Sequence, residues 1–203
     1  MSTPLLPRLG AGCGVLFPIV LFVASGDGDN AFLAPREIAG LAALTVAIPF
    51  IAYLCSLLRE AEGGAGWLAT TALTTGVAGI VLKLSSDMAP LALHRAHVAD
   101  GTQLHKAFEE LAGGATVLSL YPLAVFCAAT AIVALRTGAL PRWLGVAAAV
   151  AAAALAVNGA FLEASFLPAL LVFMLWTLLA GVHLLRRTRP ATAAGRVTAT
   201  AAT

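Results

Sequence analysis

The chain has 203 residues, 60% of them hydrophobic and 11% charged, with a net charge of +2 and a mean hydropathy of +0.93. Soluble domains carry about a quarter of their residues as charges, so this composition excludes an ordinary soluble protein. The few, scattered basic residues exclude nucleic acid as a partner.

Apolar runs are expected to form spans at 9–25, 38–58, 66–86, 115–135, 143–162 and 166–185. Each is close to the roughly 20 residues that cross a hydrocarbon core of about 30 Å. Backbone polar groups in lipid must be satisfied within their own segment, which makes the runs helices. They show no period-2 alternation, so a β-barrel is excluded. The expected fold is all-α: a polytopic integral membrane bundle of six transmembrane helices with one short extracytoplasmic amphipathic helix. Residues 1–190 form one domain, and 191–203 a disordered cytoplasmic tail.

The first span opens on Leu6-Pro7-Arg8-Leu9-Gly10 and the fifth on Leu140-Pro141-Arg142-Trp143-Leu144-Gly145. Proline suits the first helical position, and arginine reaches back to the headgroups. Val23-Ala24-Ser25 also reads as a signal-peptide cleavage site, which would leave five spans. Gly10, Gly14 and Pro18 suit a retained, packed helix better. Pro49, Pro122 and Pro168 fall in the second, fourth and sixth spans and are expected to bend the helices that carry them.

On the third span, Thr71, Thr75 and Gly79 share one face at i, i+4, i+8, a stripe for close packing or for a polar lining. Lys83 and Asp87 follow at i, i+4. Ionisable residues in a span are a functional candidate by default; alternatively both reach the outer interface. Asn158 and Glu163 lie at the outer end of the fifth span. If spans three and five touch, Lys83, Asp87, Asn158 and Glu163 form a polar cluster at an outer mouth.

The connection 87–114 carries the amphipathic segment. Asp100 is expected to cap it, with Gln103 as capping-box partner. Leu104, Ala107, Phe108, Leu111 and Ala112 form its apolar face; His105, Lys106, Glu109 and Glu110 its polar face. Gly113 and Gly114 are expected to break it from the fourth span. His94, His97, Asp100 and His105 are the weak metal candidates; they are zinc-ligand types, but their spacing matches no zinc motif, so no metal is assigned.

The fifth span is mostly Ala from Val146 to Val157 and is expected to sit between other helices. Cys13, Cys55 and Cys127 all fall inside spans as packing residues, which leaves no disulfide framework. His183 is too far in depth from the other histidines to share a haem. No Walker loop, dinucleotide turn or nucleophile elbow is present, so no cofactor and no catalytic residue is assigned.

Arg8, Arg59, Arg136, Arg142, Arg186, Arg187, Arg189 and Arg196 fall on one side of a six-span layout, and Arg36, Lys83, Arg95 and Lys106 on the other. Eight against four places both termini in the cytoplasm of a bacterium, with the chain in its cytoplasmic membrane.

The stretch Leu135-Arg136-Thr137-Gly138-Ala139-Leu140-Pro141-Arg142-Trp143-Leu144-Gly145, the Ala-rich helix, then Leu175-Trp176-Thr177-Leu178 and Leu185-Arg186-Arg187, is similar to uncharacterised multi-span membrane proteins common in actinobacteria, of the domain-of-unknown-function type. The resemblance lies mainly in the C-terminal half. It implies a six-span bundle and carries over no functional residue. Three functions stay open: an accessory, structural or sensing membrane subunit; a small-solute or ion permeation protein; a membrane-embedded enzyme or metal-binding protein. The bilayer is the expected partner, with room for a membrane-protein partner or a homo-oligomer.

Overall fold

A computed structural model describes residues 5–24, 33–99, 101–161 and 167–188. Six helices account for nearly all of them: α1 (Leu5–Ala24), α2 (Leu33–Glu62), α3 (Trp67–Arg95), α4 (Gln103–Thr137), α5 (Arg142–Ala160) and α6 (Leu167–Arg187). All six are long and apolar enough to cross a membrane, and no strand occurs among the described residues.

The ends of the helices follow from local chemistry. Glu62 closes α2 and reaches over the turn, where its two carboxylate oxygens accept the N–H groups of Leu68 and Ala69 at 3.2 and 3.0 Å. These are orphan donors of the first turn of α3. Gly63, Gly64 and Gly66 in that turn take positive φ, which glycine adopts at little cost. Thr102 is the N-cap of α4; its hydroxyl accepts the His105 N–H at 3.2 Å. The cap expected at Asp100 is therefore two residues later, and position 100 lies outside the described residues. Gly138, at φ 71, ends α4, and Pro141 stands at the N-cap of α5.

Neighbours in sequence are neighbours in space. α1 packs on α2, α2 on α3, α3 on α4, α4 on α5 and α5 on α6; α1 against α6 then closes a ring. Short turns make adjacent helices antiparallel. The core is aliphatic, with an aromatic knot in which Phe126 and Phe173 lie against Trp176 at centroid distances of 5.7 and 6.1 Å. Trp176 Nε1 donates to the Leu144 carbonyl at 3.2 Å and ties α6 to α5. Cys55 and Cys127 are buried in this core, Cys13 is partly buried, and all three are free thiols.

Three expectations are corrected. The amphipathic segment is not a separate helix: it forms the first turns of α4, which runs unbroken through Gly113 and Gly114. A glycine in a helix costs roughly 1 kcal/mol against alanine, less than the gain from a continuous flank. Leu104, Leu111, Leu118, Val125 and Ile132 are all exposed at seven-residue intervals, so the segment's outer apolar face continues along the whole of α4. The Ala-rich α5 is not enclosed on every side; Leu144, Ala148, Ala151 and Leu155 pack inward, while Val146, Val150 and Val157 face out. Pro168 sits in the first turn of α6 and not in mid-helix, whereas Pro18, Pro49 and Pro122 are internal.

Candidate functional site

The inward row of α3 runs Ala69, Ala72, Gly76, Gly79, Lys83 and Ser86, at alternating three- and four-residue steps, with buried Ile80 beside it. It lies beside the expected Thr71–Thr75 stripe, and Gly79 belongs to it. The threonines instead satisfy themselves: Thr71 donates to the Trp67 carbonyl at 2.9 Å and Thr75 to the Thr71 carbonyl at 2.7 Å. Glycine in the row allows close approach. A Cβ on Gly76 would press on Ile51 and Phe126, and one on Gly79 on Leu123.

That contact sets the register of α3 against α4. Gly76 meets Phe126 and Gly79 meets Leu123, so three residues along one helix answer three back along the other. Two further steps set Lys83 level with Ser119 and Ser86 level with Thr116. Lys83, Thr116 and Ser119 accordingly line one interior cavity with Phe17, Leu21, Leu44, Ile80, Leu120, Leu123, Leu170 and Phe173, drawn from five of the six helices.

Lys83 thus lines the inside of the ring instead of leaving it outward. Its ammonium pairs with Asp87 and donates to Ser86 Oγ at 3.2 Å. The side chains of Lys83 and Asp87 are 17% and 29% exposed. Ser86 is buried, with its hydroxyl 2.7 Å from the Lys83 carbonyl and 3.1 Å from Asp87 Oδ1. Across the cavity Ser119 donates to the Thr116 carbonyl at 2.6 Å. The pair is charge-neutral as a unit, so each ion offsets part of the cost of withdrawing the other from water. The cavity offers ≈ 10 Å³ of free space, about what one water needs. The arrangement has room for one water beside Lys83.

Of the other two members of the expected cluster, one lies within the described residues. Asn158 is half-buried near the end of α5. α5 packs along α4 and α6, and α3 packs along the same α4 and α2. Glu163 lies outside the described residues. Sequence reasoning missed Ser86, Thr116 and Ser119. Ser86 was accessible from its place three residues after Lys83; Thr116 and Ser119 become relevant only once the α3–α4 register is known.

Of the weak metal candidates, His97 is exposed at φ 50, and His105 Nε2 lies 3.3 Å from Glu109 on its own helix. Asp100 and the side chain of His94 lie outside the description. No three His, Cys, Asp or Glu residues converge among the described residues.

No protein-family model, no curated protein and no solved structure matches this chain.

Proposed function

We propose that this chain is an integral protein of a bacterial cytoplasmic membrane, with both termini in the cytoplasm, and that it serves as an accessory, structural or sensing subunit. Six apolar helices support the insertion, and the eight-to-four split of Lys and Arg supports the orientation. One observation carries the subunit reading: the cavity beside the interior ion pair is filled to the size of a single water. Coupled transporters keep ionisable side chains and a roomier substrate site near mid-membrane. Here Phe17, Leu123 and Phe173 line the small cavity beside Lys83. α2, α3 and α4 are also longer than a span requires, and this surplus length suits contact with another protein.

The test is reconstitution of the full chain into liposomes loaded with a proton-sensitive dye, with parallel tracer assays for monovalent cations and small neutral solutes. The expected result is leakage equal to that of empty vesicles, together with capture of a membrane partner after cross-linking in native membranes. Uptake that disappears in Lys83→Met would replace this reading with small-solute or ion permeation. That second reading is favoured by one fact, that Lys83 lines the ring interior.

A further inference from the structure

The end of the bundle opposite the α3–α4 connection carries a basic cleft. It occupies ≈ 530 Å³ and is lined by Gly138, Ala139 and Pro141 of the α4–α5 turn and by His183, Arg186 and Arg187 of the last turns of α6. Its size is within the range of ligand pockets, about 300–1,000 Å³. The turn is fixed. Gly138 caps α4 with its N–H on the Ala134 carbonyl, and the Ala139 N–H donates to Thr137 Oγ1 at 3.2 Å. Arg187 Nη1 donates to the Ala139 carbonyl at 3.2 Å. That bond holds the guanidinium at the cleft while using one of its five N–H donors.

The arginines here have no ion-pair partner among the described residues, although Glu60 of α2 lies close enough to act on Tyr53 together with Arg187. Among the described residues the ion pairs are Lys83–Asp87 and His105–Glu109, and neither is at this end. The nearby turn acid Glu62 already accepts two backbone N–H groups of α3. Arg136 and Arg142 flank the same turn and are exposed. Just beyond them, Leu135, Trp143 and Val146 are exposed apolar side chains. The cleft therefore opens where an apolar flank meets a polar end, with an interfacial tryptophan beside it, which is headgroup depth. Guanidinium groups match phosphate oxygens in charge and in geometry. Basic pockets between membrane helices on the cytoplasmic side suit anionic headgroups.

We propose that the cleft formed by His183, Arg186, Arg187 and the Gly138–Pro141 turn binds the phosphodiester headgroup of an anionic phospholipid. This rests on the membrane insertion proposed above. A lipid fits better than a free anion because the flank beside the cleft is apolar and takes the acyl chains.

The experiment uses the full chain in a non-ionic detergent. Its melting temperature is titrated with short-chain phosphatidylglycerol, phosphatidylcholine or inorganic phosphate, and native mass spectrometry counts bound lipids. Phosphatidylglycerol should raise the melting temperature saturably, and phosphatidylcholine should not. Arg186→Gln should weaken that response roughly tenfold, the scale of one charge-assisted hydrogen bond. Arg186→Lys should weaken it less. Arg59→Gln, which removes an equal charge outside the cleft lining, should leave it unchanged. The lipid-free melting temperature of each variant reports whether it folds. An equal response to both lipids overturns the proposal, as does an equal loss in Arg59→Gln. A response to inorganic phosphate matching that to phosphatidylglycerol overturns the lipid as occupant. Flotation of wild-type protein with vesicles tests the membrane insertion separately.

Discussion

Gly14 of α1 and Gly181 of α6 bring two helix backbones into direct contact: a Cβ on Gly181 would stand 2.8 Å from the Gly14 carbonyl carbon and 2.9 Å from Val15 N. This seam closes the ring between the first and last helices. The obstacle to a side chain is backbone, which cannot rotate away as a flexible side chain can. Arg8 Nε, donating to the Thr188 carbonyl at 3.3 Å, supports the same seam at its end. Gly181→Leu should therefore destabilise the protein by about 1–3 kcal/mol or more, the cost of overpacking a well-filled contact. Gly12 lies two residues before Gly14, about half a turn round α1, with nothing near its absent Cβ. Gly12→Ala should be neutral or slightly stabilising, since alanine favours the helix. Thermal denaturation in detergent compares the two; a Gly181→Leu protein as stable as Gly12→Ala would show that α1 and α6 do not pack this way.

The glycine pair in α4 makes a second case. No heavy atom would lie within 4 Å of a Cβ at Gly113 or Gly114, and both lie in unbroken helix. Gly113→Ala and Gly114→Ala should each add about 0.5–1 kcal/mol of stability. Spin labels at 106 and 118 should report a distance near 18 Å, twelve residues at about 1.5 Å each. A shorter or broad distribution that narrows in the double alanine variant would mean a hinge at the pair.

Hydropathy reveals how many spans there are and in what order, and all six helices fall where the apolar runs placed them. It does not reveal which side of a helix faces in. Lipid is as apolar as a leucine core, so the usual contrast between inner and outer faces is lost. Leu118 and Leu120 on α4 are chemically alike, yet the first is exposed and the second buried. For the same reason the packing row of α3 is one position away from the threonine stripe, and the direction of Lys83 was open. The Gly14–Gly181 contact joins positions 167 residues apart, and no local pattern marks it. Half of the proposed cluster, Lys83 with Asp87, was readable because i, i+4 neighbours meet on any helix. Its extension to Asn158 and Glu163 depended on whether α3 and α5 touch, which no local pattern in the sequence reveals.

Orientation has a direct readout. In a variant lacking Cys13, Cys55 and Cys127, single cysteines replace Gly101 and Thr192. Gly101 is exposed in the α3–α4 connection, and position 192 belongs to the Arg-bearing tail. With both termini cytoplasmic, an impermeant thiol reagent applied to intact cells should label position 101 and spare 192. Labelling of 192 alone would invert the orientation.

Tyr121 ties α4 to α5 through one hydrogen bond, its hydroxyl donating to the Gly159 carbonyl at 2.7 Å. Tyr121→Phe keeps the ring and removes the donor. The expected loss is about 0.5–1.5 kcal/mol, the net worth of a typical hydrogen bond. An unchanged melting temperature would show that the bond does not hold the two helices together.

The Lys83–Asp87 pair yields the most informative mutations. An exposed i, i+4 pair contributes about 0–1 kcal/mol. A fully buried pair broken on one side costs about 3–5 kcal/mol, because the remaining charge is left without a partner. Exposures of 17% and 29% place this pair nearer the buried limit, and Ser86 and the cavity beside Thr116 and Ser119 offer the survivor only partial compensation. Lys83→Met should leave the partly buried Asp87 carboxylate with the Ser86 hydroxyl. Asp87→Leu should leave the Lys83 ammonium with the Ser86 hydroxyl and at most one water. Each single change should therefore cost about 2–3 kcal/mol. The double variant should recover a large part of that loss, since no charge is stranded and two apolar side chains enter an apolar ring. Thermal or denaturant unfolding in one detergent gives the four stabilities that the cycle needs. Single losses below about 1 kcal/mol that simply add in the double variant would place both side chains in water. They would then remove the interior pair as the candidate site.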